Sequence, residues 1–594
     1  MEDEMNEMLK ARAFFAYDYT NLAQKEMKTA CTFYTYDSVQ DTYNPITKVA
    51  KGELMEKTQP YYKTTQQYSL NYKNTFNDLH DVEALALWEW KETNTNWFMA
   101  RRYYSTTSAI PELDRGDVDN MYNEGNSAVY KYGGLVGRLN YVYAGKYMAE
   151  FSFRYDGSYK TAPDKRWGFF PAVSAGWRIS EEQFMKDLVP QMDNLKLRAS
   201  WGSIGNDSQL NASQFVSGWQ FEDRFILGGA GNSSASITNG MKEANLANPN
   251  ITWYKVMTTN VGLDGSFWGG KLSFEFDYFY RKTTGYPATR NTSLPTTSGI
   301  PLPQENLNSS DNRGFELSLG TVQRIGNVNL QIKGNVAYAR EKDLYKEQAL
   351  PLNQYKNWRD NGAYRWKNVT WGYEHIGQFQ SYDEIYNSPI QDGKGNSSLR
   401  PGDIKYKDLN GDGLIDANDE KVIGKGTFPD LNFGLTLAAD WKGFDVNILF
   451  QGASNYTQVL NALTSPFRGP GEGNGFRVWM DSWHKADYND PDSEWVPGKF
   501  PSLRIEGNDN NSKKSTYWTT DAYYVRLKSI EIGYTIPKNL LSKVGIEHLR
   551  VYANAYNPLT ITNVKYTDPE AIEGWQSFYY PQLKVYSFGV NVSF

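Results

Sequence analysis

The residues best spaced for chemistry lie between Asp408 and Asp419, in the run Asp-Leu-Asn-Gly-Asp-Gly-Leu-Ile-Asp-Ala-Asn-Asp. Asp408, Asn410, Asp412 and Asp416 place side-chain oxygens at positions 1, 3, 5 and 9 of a twelve-residue loop. Leu414 offers a backbone carbonyl at position 7, and Gly413 supplies the sharp turn at position 6. That pattern can surround a Ca2+ ion with hard oxygen ligands. Position 12 is Asp419 where the pattern wants a glutamate, and the shorter side chain weakens bidentate closure. Pro401 and Gly402 oppose an entering helix, so this would be a calcium loop outside a helix pair. The same composition also builds a turn held by side-chain to backbone hydrogen bonds. Both readings stand on sequence, and no other cofactor is required.

Reactive constellations are otherwise lacking. There is no Gly-x-Ser-x-Gly elbow, no His-Glu-x-x-His and no phosphate-binding loop, which predicts a protein that is not an enzyme. The lone cysteine, Cys31, excludes an internal disulfide, and four scattered histidines leave little for zinc. A net charge of -6 gives no attraction for nucleic acid. Ten tryptophans, Trp88, Trp90, Trp97, Trp358, Trp366, Trp371, Trp479, Trp483, Trp495 and Trp575, could stack on sugars or grip a partner. An interfacial aromatic girdle is expected to account for most of them.

The elements that must position these residues are strands. Aromatics make up 15% of the chain and 50 glycines punctuate it, as in β-rich proteins. The mean hydropathy of -0.65 and the lack of a long apolar run exclude membrane-spanning helices, though not a barrel, whose strands are half polar. Period-two alternation is sharpest at Leu272, Phe274, Phe276, Tyr278 and Tyr280, against Ser273, Glu275 and Asp277. It recurs in about sixteen segments. The last, Lys584–Phe594, sets Tyr586, Phe588, Val590, Val592 and Phe594 on one face. A break of phase between Leu527 and Ile530 predicts a bulge near Ser529.

The connections between these segments decide the architecture. Short links alternate with long ones, notably 204–250, 341–428 and 453–519. In an up-and-down barrel every second connection lies on the same side, so all long loops gather at one end, as in outer-membrane barrels. The expected fold is therefore an all-β transmembrane antiparallel up-and-down β-barrel, occupying 1–594 as one unit. Arg138, Glu150, Arg154, Arg198, Glu275 and Asp277 would face its polar lumen. A soluble secreted all-β carbohydrate-binding or structural protein is the alternative.

Pro401 to Gly424 closely resembles the SusC/RagA family of TonB-linked outer-membrane transporters. Leu197–Asn206, Phe276–Thr283, Asn312–Leu317, Tyr524–Pro537 and the terminal strand resemble it in the same order. The resemblance implies a 22-stranded barrel with an internal plug, in the outer membrane of Bacteroidota. It also implies a SusD-like surface lipoprotein as partner and TonB-driven uptake of oligosaccharides or peptides. Phe594 would be the barrel-assembly signal. The first ten residues are acidic and have no apolar core, so they do not read as a signal peptide. The expectation is a barrel portion of about 16 strands, with the plug and the TonB-binding segment absent and TonB reached only through a missing N-terminal part.

Overall fold

The computed structural model describes residues 8–594 except 50, 106–109, 120, 228–235, 291–301, 350, 352, 461–462, 465–474, 505–508, 542–544 and 572–581. Sixteen strands form one antiparallel sheet in which each pairs with its neighbours in chain order. They begin with β1 (Leu9–Lys28), β2 (Gly52–Phe76), β3 (His80–Tyr104) and β4 (Tyr122–Tyr143). Next come β5 (Tyr147–Ser158), β6 (Trp167–Arg178), β7 (Met192–Asn206) and β8 (Tyr254–Phe267). The sheet continues through β9 (Leu272–Thr289), β10 (Gln304–Ile325), β11 (Val328–Tyr345) and β12 (Leu431–Trp441). It ends with β13 (Phe444–Val459), β14 (Thr519–Thr535), β15 (His548–Thr562) and β16 (Val585–Ser593). Every segment of period-two alternation has become one of these strands. No helix among the described residues is long and apolar enough to cross a membrane.

Pairing register explains the two faces. Leu197, Leu263, Phe276, Leu317, Val336 and Phe433 lie opposite one another across β7 to β12. One residue along, Arg198, Gly262, Asp277 and Glu316 line up on the other face. Large apolar side chains such as Phe151, Val173, Trp201, Tyr278 and Leu319 are left exposed. A contiguous apolar belt of this kind needs a cover, and lipid is the cover that a sheet with one polar face takes. The soluble alternative would leave that belt in water.

The turns follow local chemistry. Lys442 (φ 47°) and Gly443 (φ 90°) form the two-residue link between β12 and β13, with the paired positive φ values that match the strand twist. The bulge lies where the phase breaks: Lys528 is the extra residue between the pairs Leu449–Ser529 and Phe450–Leu527. Short links (77–79, 144–146, 268–271, 326–327, 442–443) and long ones (29–51, 207–253, 346–430, 460–518) fall on opposite sides. Side, not length, is the rule, because 159–166 on the long side is shorter than 179–191 on the other.

Two features depart from expectation. β2 and β3 are 25 residues each, far longer than their alternating segments. At about 3.3 Å per residue that exceeds a membrane's apolar core by more than twofold. The outer halves stand in water, where neither face needs to be apolar, so their alternation fades. The link 29–51 carries its own hairpin, Cys31–Asp37 with Thr42–Val49, where the sequence suggested only loop. β1 and β16 end the strand order, and no pairing joins them among the described residues.

Candidate functional site

The long connections 346–430 and 460–518 build one packed body over the sheet. Tyr373, Ile404, Tyr406, Ile415, Trp479, Phe500 and Trp518 form its buried core. Trp479 contacts the rings of Phe500 (5.2 Å) and Trp518 (6.2 Å). Trp479 and Trp483, both 4% exposed, thus belong to a loop core and not to a girdle. Ring contacts at the short-turn end include those of Tyr143, Tyr147 and Trp177, of Phe267 and Trp268, and of Trp441, Phe444 and Tyr534. Trp575 lies outside the described residues.

A polar clasp joins the two connections. Asp403 is fully buried and pairs with Arg504, while its other oxygen accepts from Asn511 Nδ2 at 2.8 Å. The Arg400 amide donates to Asp403 at 3.0 Å, and Arg400 Nε donates to Ser502 Oγ at 2.6 Å. Nearby, Asp392 accepts from the amides of Lys394, Asn396 and Ser398. Burial alone would raise the Asp392 pKa, but these bonds and the Ser398 hydroxyl hold it down at about 2. His375 donates its amide to Thr516 Oγ1 at 2.9 Å, and burial lowers its pKa against the opposing pull of Glu374.

The same body closes over the mouth of the sheet's polar face. β12 pairs with β11 only as far as Tyr338. Beyond it, residues 365–367 take the vacant edge: the Asp343 amide donates to the Arg365 carbonyl (2.8 Å) and the Lys367 amide to the Glu341 carbonyl (3.0 Å). Between this segment and the ends of β7 to β11 lies a cleft of about 860 Å3. Tyr254, Thr283, Tyr286, Asn308, Ser309 and Ser310 face it from the strands, with Asn361 and Trp371 from the loop. Its charges are Arg281, Lys346, Arg359, Arg365 and Lys367 against Glu341, Asp343 and Asp360. Lys367 reaches Glu341 at 2.6 Å and Asp343 at 3.2 Å; burial disfavours its ammonium, and these carboxylates outweigh that and raise its pKa. Arg359 pairs with Glu420 at 2.7 Å and Asp360 at 3.3 Å. The arrangement can bind a polar ligand of several residues through hydroxyl, amide and charged groups.

Deeper on the polar face, charges neutralise one another across and along strands. Arg198 pairs with Asp264 (2.7 Å) and Asp277 (3.0 Å), Arg138 with Glu150 (2.7 Å), and Arg154 with Asp156 (2.9 Å). Glu275, expected on the same face, shares the parity of Asp277.

The 408–419 loop is entered by a short strand, Ile404–Tyr406, and left through the single 3-10 turn Ala417–Asp419. Asp408 accepts from the amides of Gly411 (2.7 Å) and Gly413 (2.9 Å), and Asp412 from that of Leu414 (2.8 Å). Asp419 is buried and accepts from the amides of Leu409 (2.7 Å) and Asp416 (2.9 Å), which makes a capping box with Asp416. Asn410 bonds within the loop to Asp412 at 2.8 Å. Backbone amides engage every one of these carboxylates. Among the described residues, no group of three or more His, Cys, Asp or Glu is placed to hold a metal ion. Phe594 follows β16 and is 85% exposed. The Glu547 amide donates to the Ser593 carbonyl, so the chain ends on the short-turn side.

A one-sided array of long loops on an up-and-down sheet, with a polar cleft at its mouth and an apolar belt outside, defines a membrane barrel of the receptor and transporter class. Residues 6–558 match the family model described as TonB dependent receptor-like, beta-barrel, and the chain belongs to that family. It is 27% identical over its whole length to TonB-dependent receptor P3 of Formosa agariphila, spanning 59% of that protein. It is 26% identical over 77% of its length to TonB-dependent receptor SusC of Bacteroides thetaiotaomicron, spanning 43% of that protein. Among solved structures, the RagAB peptide importer in the open-open state superposes on 99% of the chain with a TM-score of 0.76 at 21% identity, over 59% of its own length. The chain is of SusC/RagA type and spans about three-fifths or less of these relatives' lengths.

Proposed function

We propose that the chain is the barrel portion of an outer-membrane importer that holds its ligand in the cleft beneath the 346–430 and 460–518 body. The observation that carries this reading is the cleft itself: a ligand there touches both the lumen wall and the loops. The ligand would be an oligosaccharide or a peptide, as the resemblance implies, and one similar solved structure is a peptide importer. A SusD-like lipoprotein would cover the loop side. TonB would supply the energy through a segment outside this chain. The membrane would be the outer membrane of a Gram-negative bacterium of the Bacteroidota.

The edges of β1 and β16, unpaired among the described residues, support the barrel-portion reading, because lipid cannot satisfy the amides and carbonyls of an open edge. Further strands, completing the 22 of the resemblance, would close the sheet. The calcium reading of 408–419 stays attached to this proposal: the oxygens have the spacing, and a cation would have to compete with the amides that hold them.

Cell fractionation tests the reading. The protein is expected in the outer membrane, with heat-modifiable migration in detergent extracts. A soluble periplasmic protein without that migration would overturn it.

A further inference from the structure

The charges of the cleft do not balance. Among the described residues, five cations face it against three carboxylates, a surplus of two before Glu420 behind it is counted. Local pairing divides them sharply. Lys367 takes up Glu341 and Asp343, and Arg359 takes up Asp360 together with Glu420 from behind the cleft. Arg281, Lys346 and Arg365 are left with no carboxylate partner among the described residues.

Their placement is fixed from three directions. Arg281 projects from β9 on the lumen side, two residues before Thr283. The Lys346 stem lies along Gly362, where an added Cβ would come within 2.6 Å of its Cδ, so the loop leaves room for this side chain. Arg365 is pinned by its Nη1 donating to the Arg359 carbonyl at 2.7 Å and by its guanidinium 5.9 Å from the Trp371 ring centroid. Elsewhere on the polar face, arginines such as Arg198 and Arg154 are matched by aspartates. The three line one cleft at the mouth, so their charges add. Grouped cations beside a polar wall attract an anion and raise its local concentration.

We infer that this cleft takes an acidic oligosaccharide, one bearing carboxylate or sulfate groups, with Arg281, Lys346 and Arg365 as its anion-binding residues. The inference rests on the cleft being the ligand site of the importer. The rest of the wall suits a sugar: Thr283, Asn308, Ser309 and Ser310 present hydroxyls and amides that match sugar hydroxyls, beside the rings of Tyr254, Tyr286 and Trp371. The guanidinium groups can grip either acid through paired N–H donors.

The test measures binding to the protein purified in detergent from its own outer membrane. Four probes of similar length are used: a galacturonic acid tetrasaccharide, a sulfated carrageenan tetrasaccharide, maltotetraose and tetraglutamate. One or both acidic sugars should bind about tenfold or more tighter than maltotetraose at low salt, and the preference should shrink at about 0.5 M salt. Which acidic sugar wins identifies the carboxylate or the sulfate as the recognised group. R281Q and K346Q should each lower the acidic preference about fivefold, whereas K282Q, on the opposite face of the same strand, should leave it unchanged. If a variant loses heat-modifiable migration, the salt dependence of the unaltered protein decides.

Equal binding of maltotetraose, or preferential binding of tetraglutamate, overturns the inference while leaving the importer reading in place. A chain found outside the outer membrane removes the importer reading itself.

Discussion

Replacing Asp403 with alanine should open the loop body while leaving the sheet intact. Asp403 is fully buried, and its carboxylate carries the Arg504 ion pair, the Asn511 side-chain amide and the Arg400 backbone amide. Removing one member of a buried pair costs about 3–5 kcal/mol, most of it from the charge left behind. The Arg504 side chain is 17% exposed and can partly rehydrate, so about 3 kcal/mol is the appropriate figure. That raises the open population about a hundredfold. Limited proteolysis reads the change, because cleavage tracks the open fraction when closing is fast. New cuts should fall within 369–518 at about a hundred times the parental rate, with heat-modifiable migration unaltered. D403N keeps an acceptor and loses the charge, so it should fall between. A cleavage rate for D403A within about threefold of the parent would mean that the apolar core around Trp518 holds the body alone and that the clasp contributes nothing.

Three further outcomes are expected. The folded pKa of His375 lies below its ordinary value of 6.5, so the native state binds fewer protons than the unfolded one. The stability it contributes is complete above 6.5 and is lost as pH falls through the lowered value; protease resistance of 369–425 should drop as pH falls below 6.5, and H375Q should flatten that drop. Calcium should raise protease resistance between 401 and 424, whereas equal cleavage in calcium and in chelator would assign the loop to its hydrogen bonds alone. Deleting Phe594 should reduce the amount of heat-modifiable protein in the outer membrane, and unchanged assembly would remove its role as a signal.

The sheet was readable because its lipid-facing side imposes one rule on all sixteen strands. Phe274, Phe276 and Tyr278 alternate with Ser273, Glu275 and Asp277 since lipid and lumen alternate around them. Where that constraint ends, the reading fails. The outer halves of β2 and β3 and the Cys31–Val49 hairpin are strands in water, without alternation to betray them. Which tryptophans pack inside the loops, as Trp479 and Trp483 do, was illegible for a related reason: tryptophan at a strand end and tryptophan in a folded loop are indistinguishable in sequence, and only tertiary packing separates them. The cleft was illegible because it joins Arg281 to Lys346 and Arg365 across connections whose course nothing local dictates. The 408–419 loop was legible as a motif and ambiguous as chemistry, because amides and cations compete for the same oxygens.

The long ribbon of β2 and β3 has a consequence for what meets this protein first. With strands tilted about 40° and an apolar band about 25 Å tall, 25 residues carry the ribbon tens of ångströms past the lipid on the long-loop side. The hairpin at 31–49, with Tyr34, Tyr36 and Tyr43 uncovered, leaves the sheet at that same far end. An antibody or a phage tail fibre approaching the cell would touch this mast before it reached the cleft. Such visitors would press on a part of the molecule that does not line the cleft.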